Sequence, residues 1–132
     1  ALGTLGYFYH SLGKFDKAVA KYNEGVDIAQ EIGDQQYLVS AWSGLGQAYM
    51  AQKKYQEAFD VFKPLYEHYW QIKDTRQQGL TLYNCSICAA NLGDAKKAVE
   101  FAEASVRMLA HVDDPNVENA RALLEQVRSS LS

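Results

Sequence analysis

Cys85-Ser86-Ile87-Cys88 and three histidines, His10, His68 and His111, are the side chains whose chemistry could extend beyond packing. Two thiols three residues apart suit a tetrahedral metal centre or a redox pair. A metal site needs more ligands, however, and neither a second cysteine pair nor a flanking histidine completes the set. Helical periodicity through this stretch puts Cys85 where an apolar residue recurs elsewhere, so both are read as buried, reduced thiols, which fits a reducing, cytoplasmic setting. The histidines stand apart from any Ser, Cys or carboxylate at catalytic spacing, and no glycine-rich phosphate loop is present. No catalytic residue, metal site or cofactor is assigned, and the chain is not expected to be an enzyme.

With 132 residues, 48% of them apolar and 22% charged, the chain can bury the core of one domain. Thirteen Lys and Arg against sixteen Asp and Glu leave a net charge of −3, with no block of five like charges. Nucleic acid and anionic membranes are therefore poor partners. No run of eighteen apolar residues offers a membrane span, and the N-terminus lacks a secretory profile. The chain opens inside a periodic pattern, without Met, and is expected to be a fragment of a longer protein.

The elements that would position any site are written in a repeat. LGYFYHSLGKFDKA from Leu5 returns forty positions later as LGQAYMAQKKYQEA from Leu45, holding Leu5/Leu45, Gly6/Gly46, Tyr9/Tyr49, Phe15/Tyr55 and Ala18/Ala58 in register. A weaker third copy aligns Leu2/Trp42/Leu82, Ala18/Ala58/Ala98, Val26/Tyr66/Val106 and Ile32/Ile72/Val112. A fixed period in this range marks a solenoid of stacked supersecondary units.

Within each copy the apolar spacing is helical: Leu2, Leu5, Tyr9 and Leu12, then Ala18, Tyr22, Val26 and Ala29. Gly13 and Gly93 are placed to stop first helices, and Asp34, Asp74 and Asp114 to cap the units that follow, with Pro115 at a first helical position. The pattern predicts helices over 1–12, 15–32, 35–51, 55–72, 75–91, 95–111 and 116–130, and no strand. Pro64, in mid-helix, is expected to remove one backbone bond and kink the fourth helix. The stripe Val117, Ala120, Leu124, Val127 and Leu131 makes the seventh helix an amphipathic cap.

Trp42-x-x-Leu45-Gly46-x-x-Tyr49 followed by Ala58-x-x-x-Phe62 resembles the tetratricopeptide repeat, and the first copy matches at Leu2, Leu5, Gly6, Tyr9, Ala18 and Tyr22. In the third copy Cys85, Ser86, Ala89 and Ala102 replace the usual Leu, Gly, Tyr and aromatic. The period of forty exceeds the common thirty-four, and Gly33-Asp34 stands in place of the customary Pro. This is similar to the longer-helix subgroup in kinesin light chains, Pins-type scaffolds and bacterial signalling proteins. The resemblance implies an all-α, right-handed superhelix: a single domain over 1–132, with hairpins at 1–34, 35–74 and 75–114 and a capping helix at 116–131. Small Gly6 and Gly46, tight Ala18, Ala58 and Ala98, and large Tyr9, Tyr49, Tyr22, Trp42 and Phe62 are expected to form its packing.

The family's first helices line a concave groove, so candidate contacts are the first-helix positions off the packing stripe. They are Tyr7, His10, Ser43, Gln47, Met50, Tyr83, Asn84, Ile87 and Asn91, with Gly44 and Ser11 in the same register. The set is aromatic, polar and uncharged, which suits a peptide or partner domain. The Lys and Arg clamp of chaperone-cofactor members is absent. On the fourth helix, Tyr66 and Tyr69 read as core and Trp70 as an exposed contact. The expected function is a protein interaction scaffold; the alternative is a regulatory or sensor segment of a larger bacterial signalling protein or transcription regulator. Self-association through the N-terminal end is a further expectation.

Overall fold

The computed structural model describes residues 2–131 of the backbone and the side chains of residues 5–131. Ala1 and the side chains of Leu2 and Thr4, which the repeat register uses, lie outside that range. Among the described residues seven α-helices follow in order: α1 (Leu2–Ser11), α2 (Phe15–Ile32), α3 (Gln35–Ala51), α4 (Tyr55–Gln71), α5 (Thr75–Asn91), α6 (Ala95–His111) and α7 (Val117–Ser129). Among the described residues there is no strand. The fold class is the expected all-α helical repeat, and the bounds fall within a residue or so of the spacing's prediction. Residues 1–61 and 62–132 form two compact units.

The turns reveal a period half as long as the sequence repeat. Left-handed backbone occurs at Gly13, Gly33, Lys53, Lys73, Gly93 and Asp113, a spacing of twenty. After each, an amide donates five residues back: Lys14 to Tyr9 at 2.8 Å, Asp34 to Ala29 at 3.0 Å, Lys54 to Tyr49 at 2.9 Å, Asp74 to Tyr69 at 3.0 Å, Asp94 to Ala89 at 2.9 Å and Asp114 to Leu109 at 2.9 Å. This is the Schellman closure, which satisfies carbonyls that a helix end leaves free. Glycine adopts that conformation without steric cost, but Lys53 and Lys73 do so at φ 61° and 59° with a Cβ in place. Lys53→Gly and Lys73→Gly are each expected to raise stability by about 0.5–1 kcal/mol in urea unfolding, and Gly13→Ala to lower it.

Three helix starts are fixed by carboxylates. The Oδ1 atoms of Asp34, Asp74 and Asp94 accept from the amides of Tyr37, Gln77 and Lys97 at 3.0, 3.1 and 3.1 Å. The first two were expected from sequence; Asp94 was not singled out. Asp114 departs from its expected role. Its Oδ1 accepts from the Asn116 amide and the Asn116 side chain, both at 2.8 Å, and its Oδ2 pairs with Arg76 Nε. Pro115 and Asn116 therefore form a turn, and α7 begins at Val117 rather than at Pro115. The reason is local: an aspartate that bonds the amide two residues on makes a tight turn, while a helix cap bonds the second or third helical amide.

The Asn116 amide, then Arg76 and the Asn116 side chain, hold the Asp114 carboxyl below its ordinary value of 3.8, against the opposing effect of its burial. A lowered folded value means the unfolded chain binds the proton more tightly. The contribution is therefore complete above about pH 4 and disappears as the pH falls through the folded value. Asp114→Asn is expected to remove that part of the acid-side loss, read as a flatter dependence of the unfolding midpoint below about pH 4.

In the unit of residues 1–61, Ala18, Tyr22, Leu45 and Ala48 are buried together, with Tyr9, Val19, Val26, Tyr49 and Val61 against them. The Tyr22 ring lies so close to Gly6 and Gly44 that a methyl group on either glycine would overlap it. Leu5, expected in the packing, is 43% exposed.

In the unit of residues 62–132, Ala89, Ala98, Ala102 and Val127 form the core with Val99, Phe101, Leu123 and Leu124. Two buried hydroxyls tie α5 to α6: Ser86 Oγ donates to the Ala98 carbonyl and Ser105 Oγ to the Gly79 carbonyl, each at 2.7 Å. Leu109, fully buried, presses on Gly79. Along α7, Ala120 and Val127 are buried as the amphipathic reading required, while Leu131 is 55% exposed, since the helix ends at Ser129 before the stripe reaches it. α4 runs through Pro64 without interruption, although proline supplies no amide there.

Candidate functional site

Taken one compact unit at a time, the candidate contacts fall on neighbouring surfaces. In the first, α1 touches α3 as well as α2. α1 presents Tyr7, exposed, and His10, half-buried; α3 presents Gln47, exposed, with Ser43 and Met50 half-buried. His10 is held by packing, its ring edge-on to Phe15 with centroids 5.2 Å apart. Tyr7 is 69% exposed, yet its phenol influences the core. Burial first, and Tyr7 second, push the Tyr22 hydroxyl above its ordinary 10.0.

Gly44 does not belong to this surface. The register assigned it to the contact face, whereas it is the place where α3 accommodates the ring of Tyr22. A side chain there would displace the ring.

In the second unit, α5 carries Tyr83, Asn84 and Ile87 half-buried and Asn91 exposed on its last turn. The Asn91 amide donates to the Ile87 carbonyl at 2.8 Å, and Ser11, eighty positions earlier, closes the same i−4 bond to Tyr7 at 3.0 Å. Both polar tips thus also bond their own helices, while the residues themselves stay exposed.

Tyr66 and Tyr69, read as core, are half-buried rather than enclosed. Burial raises both hydroxyls above 10.0, with Cys85 the second cause for Tyr66 and Asp74 for Tyr69. Trp70 is 61% exposed, as its register indicated. The sequence reading missed a hollow of about 470 Å³ on α7, lined by Arg121, Leu124, Glu125, Arg128 and Ser129. Its signal was faint because Leu124 counts towards the core stripe and only its half-burial opens it to the surface.

The thiols are poor reagents. Burial, and next the neighbouring Cys88, push Cys85 up to about 12, and burial takes Cys88 to about 11, so both are protonated at neutral pH. Both are free. Among the described residues, no three His, Cys, Asp or Glu side chains come together to hold a metal ion, and no helix is long and apolar enough to cross a membrane.

The family model for the tetratricopeptide repeat matches residues 1–69 and 37–110. The chain belongs to that family. The tetratricopeptide repeat fold generally mediates protein–protein interaction. Solved structures similar to this repeat chain include the apo form of RapI, at 14% identity and a TM-score of 0.90 over 98% of this chain and 48% of that one. The tetratricopeptide repeat domain of Arabidopsis FLU matches at 20% identity and 0.75, covering 83% of this chain and 92% of that one. A putative kinesin light chain from Podospora anserina, built of nearly identical repeats, matches at 18% and 0.82, covering 96% and 63% respectively. This chain thus spans about half the length of RapI, and at these identities the likeness is one of fold. No curated protein sequence matches it.

Proposed function

We propose that this tetratricopeptide repeat chain is a non-catalytic interaction module that binds a peptide or a partner domain through the exposed faces of its first helices. On residues 1–61 the contacts are Tyr7, His10, Ser43, Gln47 and Met50; on residues 62–132 they are Tyr83, Asn84, Ile87 and Asn91. One observation carries the reading. Among the letters that recur at forty, Ala18, Ala58 and Ala98 are spent on packing, all 0% exposed, whereas the face positions change from copy to copy and are exposed or half-buried.

Rings and amides without charge anchor apolar side chains and exchange backbone hydrogen bonds, the two needs of peptide recognition. Helices held by six identical closures keep those groups in place before binding, so little conformational entropy is lost in the complex. The two protonated thiols suit a reducing, cytoplasmic setting.

The test uses the partner recovered with the full-length protein. Tyr83→Ala with Asn84→Ala, and Tyr7→Ala separately, are expected to weaken its binding at least tenfold while circular dichroism keeps the helical signal. Unchanged affinity in both variants would remove these faces from consideration.

A further inference from the structure

We propose that α4 carries a separate seat for the cationic side chain of an arginine-containing peptide segment. Tyr66, Glu67, Trp70 and Gln71 line an open hollow of about 300 Å³. Tyr66 and Trp70 are four apart, Glu67 and Gln71 four apart, and Glu67 and Trp70 three apart, so one helix face holds all four.

Two features fix the chemistry of the guest. Trp70 leaves 61% of its surface in water, the largest ring so exposed on this unit. Glu67 is exposed beside it and, among the described residues, its carboxylate makes no ion pair or side-chain hydrogen bond, nor does Lys63 one turn earlier pair with it. A purely apolar guest would strip water from Glu67 without replacing it, and an anion would be repelled. A guanidinium meets both demands: its plane stacks on the indole and its edge donates to the carboxylate, with the Gln71 carbonyl oxygen within the same lining. The chain's excess of sixteen acidic over thirteen basic residues favours the approach of such a segment.

The probe is the capped peptide Gly-Arg-Gly-Arg-Gly, titrated into nitrogen-15-labelled protein, with a citrulline counterpart that keeps the shape and lacks the charge. The arginine peptide is expected to move the indole signal of Trp70 and leave that of Trp42 in place. Citrulline should bind at least fivefold more weakly. Glu67→Gln should weaken the arginine peptide about fivefold and flatten its salt dependence, and Trp70→Ala should remove binding. Both side chains are exposed, so an unchanged helical spectrum is expected. Equal binding of citrulline, an unmoved Trp70 signal, or full affinity in either variant would overturn the proposal. Because the Tyr7 and Tyr83/Asn84 variants lie on other helices, this titration is expected to be the same in them, and its failure would leave the first-helix reading standing.

Discussion

Phe62→Ala will cost about 3–5 kcal/mol, a large share of the roughly 5–15 kcal/mol that holds a typical domain folded. Phe62 is the largest fully buried side chain among the described residues, with 1% of its surface exposed. Removing its ring loses the transfer free energy of the apolar atoms and leaves a void in a lattice of helices that can close only in part. Urea unfolding followed at 222 nm should show a lower midpoint with an unchanged slope. The motif also recruits Trp42 to the packing, but that indole is only half-buried, so Trp42→Ala should cost less than Phe62→Ala. An equal loss at both positions would mean that burial does not set the cost.

Gly44→Ala is the second large effect, and its sign runs against helix propensity. In an open helix the change would stabilise by about 1 kcal/mol. Here the added methyl group would overlap the ring of Tyr22, and the ring's escape is limited because Gly6 meets the same ring atoms at 2.8 to 3.0 Å from an added Cβ. A net loss of about 2–3 kcal/mol is expected. Gly25→Ala is the control, since its nearest neighbour, the Tyr37 hydroxyl oxygen, would lie at an ordinary 3.5 Å. That variant should be as stable as the parent or more so. Combining Gly44→Ala with Tyr22→Leu should cost less than the sum of the single changes by about 1–2 kcal/mol. Strict additivity would show that the ring is not what resists the methyl group.

The helices were legible because 3.6-residue periodicity and aspartate caps act within one or two turns. Asp34 and Asp74 bond amides three residues away, a distance that sequence spacing can see. The turns at Lys53, Lys73 and Asp113 were not legible. Glycine marks a left-handed residue, and these three adopt that conformation with a Cβ in place, which no letter announces.

Gly44 was misplaced for a related reason: a small residue off the packing stripe reads as surface until the ring of Tyr22, on another helix, is found against it. Asp114 carries the same letter as Asp34 and Asp74, yet Arg76, distant in sequence, and Asn116 draw its carboxylate into a turn. Register alone proposes the candidate positions, and at Gly44 it misleads. It does not give their degree of exposure, as the contrast between Gln47, exposed, and Tyr83, half-buried, makes plain.

The evenly spaced left-handed joints have a genetic consequence. A cut after Gly33 and another after Lys73 expose backbone ends of the same conformation, with an aspartate cap waiting on the far side of each. A forty-residue block between two such cuts can be duplicated or excised in frame and the ends rejoined without inventing a new loop. A twenty-residue block would also rejoin at a left-handed residue, but a cut after Lys53 has Lys54 rather than an aspartate on its far side, and the two kinds of helix would be exchanged. Growth of such a gene by whole hairpins therefore keeps the pattern of joints and caps in register, while growth by single helices does not.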